Sequence, residues 1–165
     1  MSAPTLFDPE RPAAATVAGP RPAPFVIELP ARLPLLNSNK NVAMHDRRRV
    51  IARLREAAAA AVRECPALLE AMEARRPAPL FDRAHILGVL HPSTNGRRDP
   101  ANWYPSFKAC VDGLVDAGLF ADDDHTHVLG PDMRLGAVRD RDQLVLVVRG
   151  LEPGEDPLGY GAVGQ

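Results

Sequence analysis

The sequence predicts an α+β fold, in which a small mixed four-stranded sheet is packed with two main helices. Short β-branched runs indicate the strands, and two longer segments repeat apolar residues every three or four positions, as amphipathic helices do. A chain of 165 residues can bury a core as one domain. We expect that domain to span residues 24–151, between a disordered tail over 1–23 and a flexible tail over 152–165.

The two predicted tails lack the side chains that a core needs. Residues 1–23 are rich in Pro and Ala and contain few large apolar groups, so burial cannot offset the entropy lost on ordering. Residues 152–165 carry mainly Gly, Pro and acidic side chains.

The first half of the domain predicts a strand, a loop and a helix. Residues 24–30 are a β-branched run bounded by prolines, which favours an edge strand. The asparagines and serine of loop 33–41 can bind phosphate oxygens or simply cap turns. Residues 45–65 predict a helix, followed by a short helical piece over 67–75. The apolar stripe of the helix comprises Val50, Leu54, Ala57, Ala58, Ala61 and Val62.

The second half begins with an internal strand over residues 81–90, whose centre is continuously apolar. A loop over 93–101 leads into a helix over 102–117, which tolerates Pro105 in its first turn and ends at Gly118. The buried stripe of this helix is predicted to be Phe107, Cys110, Val111 and Leu114.

The last part of the domain completes the sheet. Residues 128–138 indicate a third strand or the start of a hairpin, 139–142 a polar turn, and 143–151 a strong strand. We therefore expect a hairpin-and-crossover sheet backed by the two helices.

Composition excludes several classes of protein. The net charge of −1 is uninformative as a total, since a nearly neutral protein can still bind nucleic acid through one basic face. Cys65 and Cys110 are widely spaced and read as buried or idle thiols in a reducing cytoplasm. His85 and His91 fit core or surface positions better than metal ligation. We find no signal-peptide pattern and no membrane-length apolar run, so we expect a cytoplasmic protein with no membrane partner.

Residues 95–127 concentrate the candidate chemistry. A basic pair, Arg97 and Arg98, precedes Asp99, and a cluster of three aspartates over 122–124 follows the second helix. These carboxylates converge only if the chain after Gly118 turns back along the helix. Carboxylate oxygens favour Mg²⁺ or Mn²⁺, which can activate water at a phosphodiester.

Each piece of this pattern also has a simpler interpretation. The aspartate cluster alone fits a solvated turn, Asp99 fits an ordinary loop acid, and the two arginines fit a solvent-facing loop. Lys108 changes the balance, because Lys40 and Lys108 are the only lysines in an arginine-rich chain.

The ordered series resembles the RusA-type Holliday junction resolvases, common in phage and prophage, over about residues 24–151. The matching residues are Arg97-Arg98-Asp99-Pro100-Ala101-Asn102, Lys108, Asp112, Leu114, Ala117-Gly118 and Asp122-Asp123, together with the Asn37-Ser38-Asn39 loop.

The resemblance implies a homodimeric, Mg²⁺-dependent endonuclease, with Mn²⁺ as a possible substitute, that resolves four-way DNA junctions in recombination and repair. It implies that Asp99, Lys108 and Asp123 are catalytic, and that Asp99, Asp122 and Asp123 bind the metal.

The expected partner is branched DNA, and no small-molecule cofactor is expected. The DNA-binding residues implied by the resemblance are Asn37, Asn39, Arg97, Arg98 and Asn102. Asn102 would also cap the helix.

Two departures from the family pattern leave alternatives open. Ala101 stands where the family has a second aspartate, and the spacing from Asp99 to Lys108 is longer by about one helical turn. The residues that could replace the missing ligand are Asp112, Asp122, Asp124 and His125. Without a replacement, the chain would be a junction-binding protein with weak or no catalysis. A third interpretation is a protein-interaction domain whose charges are only surface.

Overall fold

The computed structural model describes residues 23–158, and the chain folds as a mixed sheet with helices. Residues 1–22 of the first predicted tail and residues 159–165 of the second lie outside the described residues, and the domain boundaries stay predictions. The elements in chain order are β1 (Phe25–Glu28), α1 (Met44–Arg63), α2 (Pro66–Arg75), β2 (Ala84–His91), a 3-10 turn (Pro100–Trp103), α3 (Tyr104–Asp116), β3 (Val128–Leu135) and β4 (Gln143–Gly150).

The predicted α+β class is confirmed, with four strands in the order β1-β4-β2-β3. β4 runs antiparallel to both β1 and β2, while β3 runs parallel to β2, so α3 is the crossover between two parallel strands. β1 lies at an edge and β2 lies inside the sheet, as their sequences predicted.

The expectation that residues 128–138 start a hairpin is wrong, because β3 and β4 lie on opposite sides of β2. Two hydrogen bonds carry the connecting segment across the end of β2. Gly136 N donates to Leu90 O (2.8 Å), and Arg139 N donates to Pro92 O (2.9 Å). A strand-length pattern does not distinguish an adjacent partner from one across another strand.

The sheet buries one face under the helices. β2 alternates buried and half-buried residues along its whole length, and its buried positions include Ala84, Ile86 and Leu90. Gly88 lies on the same face, where the ring of Phe107 comes so close that a Cβ atom would lie 2.6 Å from its Cδ1. This contact fixes α3 against the middle of the sheet.

α1 packs closely against α3 at Gly113. A Cβ atom at this position would clash with the backbone oxygen of Arg55 and would lie 2.9 Å from the Ala58 Cβ. The guanidinium of Arg55 also forms a two-pronged ion pair with Asp116 at the C-terminal end of α3. The predicted stripe of Phe107, Cys110, Val111 and Leu114 is fully buried, which confirms the helical phase.

The ends of α3 follow from its sequence. Pro105 lies in its first turn, where no intrahelical hydrogen bond is lost. Gly118 ends it with a φ of +90°, a conformation that glycine adopts without steric cost. Burial raises the pKa of the Cys110 thiol to about 12, so this cysteine stays an unreactive core residue, as expected. Among the described helices, none is long and apolar enough to cross a membrane.

We expect Gly113→Ala to destabilise the protein. The added methyl group meets the backbone of α1, and such overpacking costs about 1–3 kcal/mol, at the upper end here because a backbone cannot rotate away. The better helix propensity of alanine returns about 1 kcal/mol, so the net loss is roughly 2 kcal/mol. Urea denaturation measures it.

The matched control is Gly96→Ala, since a Cβ atom there would have no neighbour within 4 Å. It should change the unfolding free energy by less than about 1 kcal/mol. Equal effects at the two glycines would contradict the close packing of α1 on α3.

A second prediction concerns the acid titration of Asp116. Hydrogen bonds from Arg55 hold the Asp116 pKa below its ordinary value of 3.8. A lowered folded pKa contributes stability above that ordinary value, and the contribution disappears as the pH falls through the folded pKa. Arg55→Gln should therefore raise the Asp116 pKa toward 3.8, as measured by NMR titration of the carboxyl carbon. Arg53→Gln is the control, because Arg53 has no acidic partner among the described residues. This variant should leave the Asp116 pKa unchanged.

Candidate functional site

The centre of the candidate site is the ammonium group of Lys108. It donates to Asp112 Oδ1 at 2.5 Å, one turn further along α3, and to Asp123 Oδ2 in the loop after the helix. The Lys108 side chain is 40% exposed and the two carboxylates are 27% and 28% exposed. The structure therefore brings together two of the three residues predicted to be catalytic, Lys108 and Asp123.

The return of the chain after α3 makes this contact possible. Leu119 N donates to Leu114 O (3.1 Å), and Phe81 N donates to Leu119 O (2.9 Å), which joins the segment after Gly118 to α3 and to the chain before β2. Leu119 and Phe120 are buried and anchor it in the core. The turn back along the helix that convergence required is thus present.

Electrostatic contacts favour the ionised forms of the pair. Partial burial lowers the pKa of Lys108, but the hydrogen bonds to Asp112 and Asp123 outweigh it, and the net shift is upward. The hydrogen bond from Lys108 is the main cause of the lowered pKa of Asp123. An ammonium and a carboxylate therefore face each other at neutral pH.

The other two aspartates of the cluster serve different contacts. Asp122 is exposed, and its Oδ1 accepts from the backbone N of Asp123 (2.7 Å). Asp124 accepts from Thr126 N (2.7 Å) and from the hydroxyl of Thr126, and these bonds, with one from His127, lower its pKa. Asp124 thus stabilises the loop, and Asp112 is the alternative carboxylate that lies beside Lys108.

Asp99 precedes the 3-10 turn that leads into α3. Its Oδ1 accepts from Ala101 N (3.0 Å) and caps the 3-10 turn. Within residues 23–158, no hydrogen bond or ion pair joins Asp99 to Lys108 or Asp123, and no three His, Cys, Asp or Glu side chains form a group that could hold a metal ion. The metal roles of Asp99, Asp122 and Asp123 stay predictions. Asp112 and Asp123 offer oxygen donors of the kind Mg²⁺ prefers, but the Lys108 ammonium lies between them.

The two arginines before Asp99 differ in their environment. Arg98 is half-buried, donates to Thr94 Oγ1 at 2.6 Å and lies 6.0 Å from the centre of the Trp103 ring. Arg97 is exposed and makes no ion pair or side-chain hydrogen bond with any described residue. Arg97 is therefore the one of the pair that is free to contact a ligand.

The Asn-rich loop is held against the start of α3. Ser106 Oγ accepts from Leu36 N (2.7 Å) and donates to Leu36 O (3.0 Å), and Ser38 N donates to Asn102 O (2.7 Å). Asn37 Oδ1 caps the backbone N of Asn39 at 2.8 Å, which is the turn role considered for this loop. Three predicted DNA-binding residues, Asn37, Asn39 and Asn102, thus lie in neighbouring segments.

The sequence interpretation missed the role of Ser106. It is fully buried and is the only buried polar side chain in the described part of the chain. A serine one position before a predicted core phenylalanine was a weak signal for it.

The two histidines considered above already have partners. His85 Nε2 lies 2.6 Å from Asp132 Oδ2, and His91 Nδ1 lies 2.8 Å from Ala137 O. Both project from β2 on the side away from the helices.

No protein-family model and no curated protein sequence matches the chain.

We expect Ser106→Ala to cost about 1–3 kcal/mol of stability, because the backbone N and O of Leu36 would lose their buried partner. Faster hydrogen exchange at the Leu36 amide would show that the Asn-rich loop has loosened. Ser38→Ala, an exposed change in the same loop that keeps its backbone bond to Asn102, is the control. Equal stability of the two variants would contradict the role of Ser106.

Proposed function

We propose that the chain is a structure-selective DNA endonuclease of RusA type, which resolves four-way junctions by metal-assisted phosphodiester hydrolysis. The observation that carries the proposal is the Lys108 ammonium, shared between Asp112 and Asp123 on the accessible side of α3. A partly exposed cation held by two carboxylates from different segments suits a reaction at an anionic phosphate.

Lys108 is the residue that would contact the scissile phosphate. Its raised pKa keeps it charged, and its charge would stabilise the negative charge that develops during attack by water. Asp112 and Asp123 would hold the ammonium in position. When the phosphate arrives, the ammonium can exchange one carboxylate for a phosphate oxygen.

The metal of the proposal is Mg²⁺, or Mn²⁺ in its place, and it would polarise the phosphate and activate water. Asp122 and Asp123 are its proposed ligands beside Lys108, and Asp99 is the third ligand that the resemblance implies. Release of Asp123 from Lys108 would free its oxygens for the ion. Asp112 is the best-placed substitute for the carboxylate absent at Ala101, since it already lies beside Asp123 through Lys108.

DNA contact is proposed along the exposed side of the N-terminal half of α3. Arg97 is free to meet a backbone phosphate, while Arg98 shapes the loop through Thr94 and Trp103. Asn37, Asn39 and Asn102 would add hydrogen bonds to the DNA backbone from the adjacent loop.

The proposal includes a homodimer in the cytoplasm that acts in DNA recombination and repair. A four-way junction has two-fold symmetry, and symmetric nicks need two related sites.

The second candidate function is that of a protein that binds four-way DNA junctions without cleaving them. Ala101 and the absence of a three-carboxylate group among residues 23–158 favour it. It predicts tight binding to branched DNA with no metal-dependent nicking. A protein-interaction domain would instead show no salt-dependent DNA affinity, since phosphate contacts weaken as salt rises.

We expect Asp123→Asn, Asp99→Asn and Lys108→Met each to lower the cleavage rate of a synthetic four-way junction at least 100-fold in Mg²⁺ or Mn²⁺. Removal of one charge-stabilising group typically costs that much. Junction affinity by gel shift should change less than about threefold for the two asparagine variants, since their loss removes no cation that binds phosphate.

Asp140→Asn is the control, an exposed aspartate without a partner among the described residues. It should cleave at the wild-type rate. If the wild type binds the junction but nicks it in neither ion, the endonuclease proposal is wrong and the junction-binding protein is the better interpretation. Loss of binding in parallel with cleavage would show that the varied residues are structural.

A further inference from the structure

A small groove opens directly beside Lys108, between the N-terminal turns of α1 and α3. Its volume is about 190 Å³, and its apolar walls come from Ile51 on α1 and from Tyr104 and Pro105 on α3. Lys108 and Asp112 line the end of the groove that adjoins the candidate site. Arg47 of α1 lines it from the other helix.

Tyr104 is the unusual member of this groove. It is 46% exposed, whereas Phe107, the other aromatic residue of α3, is fully buried. Tyr104 makes no side-chain hydrogen bond with any described residue. A partly exposed aromatic ring beside apolar side chains is a surface on which a flat ring can stack.

The cations of the groove indicate the charge of its ligand. Arg47 is half-buried and makes no ion pair within residues 23–158, so its guanidinium is available. Lys108 is held by Asp112 and Asp123 and so adds a positioned but largely compensated charge. A ligand that joins a flat ring to a neighbouring anionic group would match both the walls and Arg47.

We infer that this groove binds one unstacked nucleobase of the DNA, next to the phosphate that Lys108 contacts. The inference rests on the proposed function and assigns a specific part of its substrate. The base would stack on the Tyr104 ring against Ile51 and Pro105, while Arg47 would bind the phosphate that follows it. Taking a base out of the stack costs free energy, and it costs least where the pairing of that base is already disturbed.

The size of the groove decides against larger occupants. A space of about 190 Å³ is below the volume of a typical drug-sized pocket, about 300–1,000 Å³, and holds one ring system instead of a helix or strand of a partner protein. The groove also adjoins Lys108, so a base bound there would fix the register of the neighbouring phosphate. The substrate class that fits is single-stranded or locally unpaired nucleic acid.

The test uses four-way junctions that carry 5-iodouracil at single positions around the crossover, mixed with the full chain in Ca²⁺ to limit cleavage. Ultraviolet light should crosslink one of these positions to Tyr104, as mapped by mass spectrometry of the peptides. Tyr104→Phe should keep the crosslink and the affinity. Tyr104→Leu should lose the crosslink and bind on the order of tenfold more weakly, since a stacked base contributes about that much.

Leu69→Ala is the matched control, because it removes an exposed apolar side chain from α2, outside the groove. It should bind the junction as the wild type does. The inference is overturned if the wild type binds the junction but its crosslinks map outside the groove, or if Tyr104→Leu binds with unchanged affinity. Failure of the wild type to bind any junction overturns the proposed function, and this inference with it.

Discussion

The close packing of α1 against α3 is the constraint on which the candidate site depends. Gly113 lets the backbone of α1 approach so closely that a single methyl group would not fit. This approach places Arg47 across a narrow groove from Tyr104 and Lys108. The other side of α3 is fixed by Phe107, which lies over Gly88 in the centre of the sheet. These two contacts together fix the position of α3, and its rotation about its own axis, relative to α1 and the sheet.

On the exposed side of α3, Lys108 forms two ion pairs that water reaches only in part. The Lys108 ammonium and its two carboxylates are all partly withdrawn from water, and desolvation opposes their charges. Such an arrangement adds little net stability compared with apolar packing. Charged groups withdrawn from water in this way are common at functional sites, which is consistent with the proposed role of Lys108.

The topology distributes the predicted site over two regions of one helix. The parallel crossover from β2 through α3 to β3 puts Asp99 before the helix and Asp123 after it. The return of the chain after Gly118 brings Asp123 to Lys108, and Ser106 brings the Asn-rich loop to the start of α3. DNA that met both regions would lie along α3, with the groove at Tyr104 between them.

The sequence by itself determined the elements, because periodicity reflects which side of each element is buried. The helical phase of α3, its end at Gly118 and the edge position of β1 all followed from the sequence. Only the tertiary structure decided which strands pair. The apolar pattern of β3 or of β4 would be the same if the two strands were adjacent, whereas β2 lies between them. The tertiary structure also decided which acids meet Lys108, because an aspartate's neighbours depend on the path of the chain. That path brings in Asp112 and Asp123 and leaves Asp99 as the cap of a 3-10 turn.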